Sequence, residues 1–291
     1  MSNVSLNNWY DLSDTFDWKG YRIVYKTHNS DKPWLLLIHG FPTASYDWNE
    51  IWEPLSKQFS LVTLDMLGFG YSEKPNPYPY SIIQQADLVE DLMSHLDISE
   101  CHLLAHDYGD TVAQELIARY NDGGKLKFKS VCLLNGGIFP ESHHPLPIQK
   151  MLMSPIGFLL SKLLNQRKFE KSFGRIFGPD TGLSSEELST YWQLVSKKNG
   201  HRIAHLLIKY MRERVVNRER WVGALQNFKH PLGLINGLVD PISGQVMVDR
   251  YKEIISAKNI WTMDRIGHNP QIEAPEEVVR FYKEFSEKNA F

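Results

Sequence analysis

The chain has 291 residues, which is enough for one large α/β domain or for a domain that carries a sizeable insertion. Hydrophobic residues make up 42% of it, so a substantial core is possible and disorder is not expected. The 32 Lys and Arg residues against 34 Asp and Glu residues give a formal net charge of −2, a balance that shows no basic footprint for nucleic acid and no polybasic patch for membranes.

The first part of the chain alternates short apolar runs with turn and helix signals. The runs predict strands at residues 22–25, 34–38, 61–64, 101–105 and 130–134. Ser81 followed by Gln84 forms a capping-box pattern before an amphipathic helix, and a second helix is predicted over residues 109–120. Strand–helix–strand alternation of this kind indicates a mostly parallel, doubly wound sheet with helices on both faces.

This alternation stops at about residue 139 and resumes at about residue 226. Strands at 232–235 and 260–263, a helix at 244–255 and a final helix begun by Pro275 follow. We therefore expect an α/β core domain of residues 1–138 and 226–291, with a helical cap of residues 139–225 inserted after the sixth strand. The cap would cover the carboxyl ends of the strands, where open α/β sheets hold their ligands.

Two features bear on the cellular compartment. Cys101 and Cys132 lie in apolar runs, which favours buried thiols over a disulfide or a metal site and fits a reducing compartment. The N-terminal segment is polar and acidic and resembles no signal peptide, and the longest apolar runs are too short to span a bilayer. The expectation is a cytoplasmic protein without a membrane span.

The stretch LLAHDYGDTVAQEL places Asp107 between a predicted strand and a predicted helix. Ala105 and Gly109 stand two residues before and after it, as in the strained nucleophile elbow, where small neighbours are required. The alternative is that Asp107 is a helix N-cap.

Three further segments favour the elbow. HGFP follows a predicted strand and would place the Phe41 N–H, together with that of Tyr108, in an oxyanion hole. Asp240 and His268 come later, each after its own predicted strand. The order nucleophile, acid, histidine at successive strand ends predicts a catalytic triad of Asp107, Asp240 and His268.

Other polar motifs favour structural roles. His39 and His106 flank glycine turns and are expected to be hydrogen-bonding residues rather than bases. The two basic clusters, residues 212–214 and 218–220, are interrupted by acids and indicate a solvated helix face. The glycines after Asp65 do not make a dinucleotide fingerprint, and His143-His144 lacks a third ligand at a useful spacing, so no cofactor and no metal are expected.

Six segments carry a resemblance to a known family. They are HGFPTASYDW (39–48), LDMLGFGYSEKP (64–75), AHDYGD (105–110), VAQEL (112–116), NGGIFPE (135–141) and RWVGAL (220–225). The chain resembles the α/β-hydrolases that use an aspartate nucleophile, namely epoxide hydrolases and haloalkane or haloacetate dehalogenases. It resembles the mesoderm-specific transcript protein group more closely, over nearly its whole length.

The resemblance implies an α/β-hydrolase fold and a covalent ester on Asp107. It also implies that Tyr210 is a cap tyrosine that hydrogen-bonds an epoxide oxygen, the alternative being a packing residue on a cap helix. Tyr108 and Phe41 occupy places where haloalkane dehalogenases carry halide-binding residues. Thr111 and Gln114 follow where haloacetate dehalogenases carry arginines.

Three functions remain open, in order of preference. The first is an epoxide hydrolase-like enzyme that uses water and a small apolar substrate, with Tyr210 and Trp221 in the substrate pocket. The second is a dehalogenase-like hydrolase on the same core. The third is a protein on a hydrolase scaffold that binds a ligand or partner without turnover.

Overall fold

The computed structural model describes residues 4–255 and 258–290. Its centre is an eight-stranded sheet in the order β1-β2-β4-β3-β5-β6-β7-β8. The strands are β1 (Asp14–Trp18), β2 (Tyr21–His28), β3 (Trp34–Ile38), β4 (Ser60–Leu64), β5 (Glu100–His106), β6 (Lys127–Leu134), β7 (Leu232–Gly237) and β8 (Asn259–Met263). The pairs β1–β2 and β2–β4 are antiparallel, and the five other pairs, which join β4, β3, β5, β6, β7 and β8 in that order, are parallel. The predicted mostly parallel sheet is therefore confirmed.

Helices cover both faces of this sheet and its carboxyl edge. The core helices are α1 (Leu6–Asp11), α2 (Asn49–Ser56), α3 (Ile82–His95) and α4 (Tyr108–Asn121). Between β6 and β7 the chain forms α5 (Pro147–Leu152), α6 (Gly157–Lys162), α7 (Gln166–Phe173), α8 (Ser185–Ser196), α9 (Ala204–Leu207), α10 (Tyr210–Val216) and α11 (Arg218–Asn227). α12 (Gln245–Ile254), α13 (Pro270–Glu273) and α14 (Pro275–Lys288) follow.

The helices α5 to α11 occupy the segment expected to be the cap, residues 139–225, which we call the cap segment. They follow the sixth strand, as expected. Sequence reasoning did not find β1, α1 or α2, because these short elements carry mixed polar and apolar residues and their burial depends on distant neighbours. The exact domain boundaries stay a prediction.

The central strands are buried because helices pack on both of their faces. All of β4 and four of the five residues of β3 are buried. Leu37 of β3 lies between Thr63 of β4 and Leu104 of β5, so β3 and β5 run side by side. This register brings the residue that follows β3 and the residue that follows β5 to the same edge of the sheet.

Two hydrogen bonds cap the N-terminus of α3, and the sequence predicts only one of them. The Ser81 hydroxyl accepts a hydrogen bond from the Gln84 amide at 3.2 Å, which is the first half of the expected capping box. A second amide of the first turn is satisfied from the cap segment, because the Glu213 carboxylate accepts from the Ile82 amide at 3.0 Å. Helix α10 therefore helps to cap a core helix.

The prediction that the basic clusters of α10 and α11 form a solvated helix face is wrong for some of their residues. Arg214 is 2% exposed, and Arg220 donates from Nε to the buried Glu115 of α4 at 2.9 Å. The indole N–H of Trp221 donates to the same carboxylate at 2.8 Å. Glu115 thus ties α11 to α4, and its buried charge is compensated by the arginines.

Two smaller expectations concern the cysteines and the membrane. Cys101 and Cys132 are buried and free, as predicted. None of the helices in residues 4–255 and 258–290 combines the length and the apolar character that a membrane-spanning helix needs.

Candidate active site

Asp107 stands at a sharp turn between β5 and α4. Its φ of 49° and ψ of −104° are strained for a residue with a side chain. A Cβ on Gly109 would lie 2.3 Å from the carbonyl oxygen of Ile38, so the turn requires a glycine there. The Asp107 side chain makes no hydrogen bond to the helix N-terminus, which argues against the N-cap interpretation. The backbone has the geometry expected of an elbow.

The structure brings the three expected triad residues together. The Nδ1 atom of His268 lies 2.8 Å from Oδ2 of Asp240, and its Nε2 atom lies 4.0 Å from Oδ1 of Asp107. The exposed fraction is 3% for Asp107, 6% for Asp240 and 2% for His268, so all three side chains are shielded from solvent. The 4.0 Å separation is longer than a hydrogen bond and leaves His268 facing the nucleophile without a direct bond to it.

Asp240 is held in place by three hydrogen bonds besides the one to His268. Ser243 Oγ donates to Oδ2 at 2.7 Å and Asn135 Nδ2 at 3.0 Å, while the Ile242 amide donates to Oδ1 at 2.8 Å. Burial raises the pKa of Asp240, but the His268 charge and these donors outweigh burial, so its pKa lies below the ordinary value. Asp240 is therefore a carboxylate that orients His268.

The two carboxylates also change the titration of His268. Burial lowers its pKa, but the charge and hydrogen bond of Asp240 and the charge of Asp107 outweigh it and raise the pKa to about 9. Burial raises the pKa of Asp107, but the charges of His268 and Arg214 hold it below the ordinary value. At neutral pH the site thus contains an ionised Asp107 beside a protonated His268.

The two residues expected to form an oxyanion hole lie beside Asp107. The Phe41 amide donates to Oδ2 of Asp107 at 3.1 Å. Tyr108 is the first residue of α4, so its amide has no partner within the helix. The Tyr108 ring packs against Phe69 at a centroid distance of 5.2 Å.

Tyr210 reaches Asp107 from the cap segment. Its hydroxyl donates to Oδ1 of Asp107 at 3.4 Å, and its ring lies 4.7 Å from that of Tyr108. Burial and the Asp107 charge raise the pKa of Tyr210, so the phenol keeps its proton at neutral pH. A phenol in this state can donate a hydrogen bond beside the reactive carboxylate.

Arg214 is a site residue that sequence reasoning missed. Its guanidinium donates to the main-chain oxygen of Asp107 at 3.0 Å and to the Thr111 hydroxyl at 2.7 Å, and it lies 3.7 Å from Oδ1 of Asp107. The guanidinium carbon also stands 4.5 Å from the Tyr210 ring centroid. A signal was present in the sequence: Arg214 follows Tyr210 by four residues, so both share one face of α10.

The histidines expected to be structural have structural partners. His39 accepts from the Met66 amide at 3.1 Å through Nε2. His106 Nε2 lies 2.8 Å from the carbonyl oxygen of His268, and burial lowers the pKa of both His39 and His106 to about 4. His106 therefore supports the main chain at His268 as a neutral ring.

A cavity of about 90 Å³ opens beside Asp107 and His268. Its wall is mostly apolar and includes the cap-segment residues Leu146, Ile148, Leu152, Leu164, Phe169, Phe173, Val195 and Ala204. Of the two residues expected in the substrate pocket, Tyr210 contacts Asp107 and Trp221 is held by Glu115 against α4; neither is among the residues that line this cavity, and their binding of substrate stays a prediction. Over the described part of the chain, no group of three His, Cys, Asp or Glu side chains could hold a metal ion.

Comparison with known proteins agrees with this architecture. A family model described as alpha/beta hydrolase fold matches residues 33–275. The mesoderm-specific transcript protein of Mus musculus is 40% identical over 296 residues, covering 97% of this chain and 88% of its own length. A putative hydrolase, LipZ, of Mycobacterium tuberculosis is 37% identical, covering 94% of this chain and 96% of its own.

Solved structures show the same fold at lower identity. A haloalkane dehalogenase loop variant from Bradyrhizobium elkanii is 20% identical with a TM-score of 0.79, covering 96% of this chain and 98% of its own. The family match extends over most of the chain and includes the strand ends that carry Asp107, Asp240 and His268. The chain therefore belongs to the α/β-hydrolase family.

Proposed function

We propose that this α/β-hydrolase opens an epoxide of a small apolar substrate through a covalent ester on Asp107. The observation that carries the proposal is the arrangement around one carboxylate. Phe41 holds one oxygen of Asp107, while the other oxygen faces both the Tyr210 phenol and the His268 ring. A nucleophile, a proton donor and a base thus share a buried site next to an apolar cavity.

The first step forms the ester. Asp107 is already ionised, so it attacks an epoxide carbon without a base. The bond between that carbon and the epoxide oxygen breaks, and Tyr210 donates its hydrogen bond, and then its proton, to the departing oxygen. Arg214 lies over the Tyr210 ring, so it stabilises the negative charge that develops on the phenol.

The second step hydrolyses the ester. His268 first passes its proton to the Tyr210 phenolate. It then takes a proton from water, and the resulting hydroxide attacks the carbonyl carbon of the Asp107 ester. The amides of Phe41 and Tyr108 stabilise the oxyanion. Collapse of the tetrahedral intermediate releases a diol, restores the Asp107 carboxylate and leaves His268 protonated, as it was before the reaction. The net reaction is the addition of water to an epoxide.

The charges of the site favour this order of events. The raised pKa of His268 depends in part on the negative charge of Asp107. Ester formation removes that charge, so the pKa of His268 falls and its ring can release a proton and act as a base. The nucleophile therefore acts beside a protonated histidine, and the base becomes available after the ester has formed.

A phenol beside the nucleophile favours an epoxide over a halide as the leaving group. An epoxide oxygen leaves as an alkoxide and needs a proton, which Tyr210 can supply, whereas a halide needs none. Halide sites offer N–H donors from side chains, and the residues at the corresponding places here are Phe41 and Tyr108, whose rings have none.

Intact-mass spectrometry of His268→Gln protein tests the proposal. Without the base, the ester should accumulate as one equivalent of adduct with the full mass of the epoxide, since opening expels no atom. A bromoalkane of the same chain length should leave no adduct and release no bromide. His144→Gln changes an exposed histidine and should turn over the epoxide without accumulating adduct. Asp107→Asn should block adduct formation.

Two results would contradict the proposal. Adduct and bromide from the bromoalkane, with none from a panel of epoxides, would favour the dehalogenase-like reaction. No adduct from either panel, together with recovery of an intact bound ligand in both wild-type and Asp107→Asn protein, would favour a binding protein on the same fold.

A further inference from the structure

We propose that the protein docks on the surface of an anionic phospholipid bilayer through the outer side of α5 and α6. Five large apolar side chains in this region are 46–62% exposed. They are Met151, Ile156, Phe158, Leu159 and Leu163, and we call them the outer cap patch. Apolar side chains gathered on one surface mark sites for partners or membranes rather than ordinary solvent-facing surface.

The packing of α6 against the rest of the protein determines which of its side chains are exposed. Gly157 and Ser161, its two small residues, are buried, and a Cβ on Gly157 would lie 2.0 Å from the carbonyl oxygen of Leu152. Ser161 Oγ accepts from the His205 amide at 3.1 Å. The small face is thus fixed toward the protein, and Phe158, Leu159 and Leu163 are turned outward.

The positive charges near the outer cap patch favour an anionic surface as its partner. Residues 142–169 contain Lys150, Lys162, Arg167 and Lys168 and no Asp or Glu, although the whole chain has a net charge of −2. All four cations are exposed. This segment is therefore a local basic region that the overall composition concealed. Exposed apolar residues flanked by cations are typical of proteins that lie on anionic membrane surfaces.

The same charges disfavour a second copy of the chain as the partner. A symmetric dimer through this patch would place the four cations of one copy against the four of the other. Like charges that face each other across an interface disfavour it, and residues 142–169 contain no acid that could pair with them. An anionic lipid surface instead attracts all four cations and accepts the apolar side chains.

The inner side of this region forms part of the cavity wall. Ile148, Leu152 and Leu164 line the cavity next to Asp107, while Met151 and Leu163 beside them face outward. A docked protein would hold this wall against the bilayer, where apolar molecules concentrate. The corollary that the substrate is a lipophilic molecule dissolved in the membrane rests on the proposed function, whereas the docking does not.

Co-sedimentation with vesicles tests the docking without any turnover. The full chain should pellet with vesicles that contain phosphatidylglycerol and phosphatidylcholine, and added salt should weaken the binding. The double variant Phe158→Ser and Leu163→Ser should lower the partition coefficient at least about tenfold, because two large apolar side chains no longer enter the bilayer. Lys162→Glu should weaken binding about fivefold or more and should act on anionic vesicles alone.

Val216→Ser is the matched control, since Val216 is 82% exposed and lies outside the patch. Its partition coefficient should equal that of the unaltered chain. Equal pelleting of all variants, or none with anionic vesicles, would overturn the proposal. So would a concentration-dependent dimer in analytical ultracentrifugation that the double variant abolishes, because a second copy would then cover the patch. The proposed epoxide chemistry is tested separately, because it would be contradicted by the absence of an adduct on Asp107 and not by the vesicle binding.

Discussion

Arg214, on cap helix α10, donates a 3.0 Å hydrogen bond to the main-chain oxygen of Asp107, a residue 107 positions earlier in the chain. The same guanidinium lies 3.7 Å from the Asp107 carboxylate and stacks on the Tyr210 ring. One buried cation thus contacts both the proposed nucleophile and the proposed proton donor. The cap segment thereby contributes to the electrostatics of the elbow as well as to the cavity wall.

Arg214→Gln should slow the reaction most at low pH. Arg214 helps to hold down the pKa of Asp107, so its removal raises that pKa and leaves less carboxylate available on the acid side. We expect kcat/KM to fall by about tenfold to a hundredfold, with the acid limb of its pH profile displaced upward. Arg212→Gln changes an exposed residue on the same helix and should leave kcat/KM and the position of the acid limb unchanged. An acid limb that stays in place would assign Arg214 a purely structural role.

The stability of the protein should depend on pH through His268. Its pKa is raised from 6.5 to about 9 by folding, so the folded state holds the proton more tightly than the unfolded chain. The stabilisation is complete below pH 6.5, is lost as the pH rises through about 9, and amounts to roughly 3 kcal/mol at most. Urea unfolding should show that the difference between wild type and His268→Gln shrinks over this range. A difference in the free energy of unfolding that stays constant over this pH range would contradict the raised pKa of His268.

Tyr210→Phe should separate proton donation from packing. The ring remains, so the free energy of unfolding should change by about 1 kcal/mol or less, while ester formation from an epoxide should slow by about a hundredfold or more. Rapid-quench mass spectrometry in the His268→Gln background measures that step. Tyr191→Phe, a buried tyrosine outside the catalytic group, is the control. An unchanged adduct rate would leave Tyr210 as a packing residue.

Gly109→Ala should damage the fold at the elbow. The new Cβ would meet the backbone oxygen of Ile38 at 2.3 Å, so β3 and α4 would have to move apart. We expect a loss of about 3 kcal/mol in the free energy of unfolding. Gly223→Ala is a matched control in α11, where a Cβ meets nothing within 4 Å, and it should stabilise by about 0.5 kcal/mol through helix propensity. Equal effects of the two changes would contradict the steric account.

Much of the fold was determined by the sequence, and so was the proposal that Asp107, Asp240 and His268 form one site, which the structure brings together. Apolar runs such as residues 34–38 predict buried strands because burial on both faces leaves no polar positions. The small residues around Asp107 follow from steric needs within a few residues, and Asp107, Asp240 and His268 were proposed because each follows its own predicted strand in that order. These requirements are local, so a single chain displays them.

The tertiary structure alone decided which distant side chains meet. Arg214 and Trp221 stand in similar helical contexts, yet Arg214 contacts Asp107 and Trp221 is held by Glu115 against α4. The direction that Phe158 faces was likewise set by how α6 packs through Gly157 and Ser161. An apolar or charged residue in a helix has the same local pattern whether it faces a cavity, the core or solvent. Its environment depends on contacts with residues far along the chain, and these form only when the sheet and the cap segment come together.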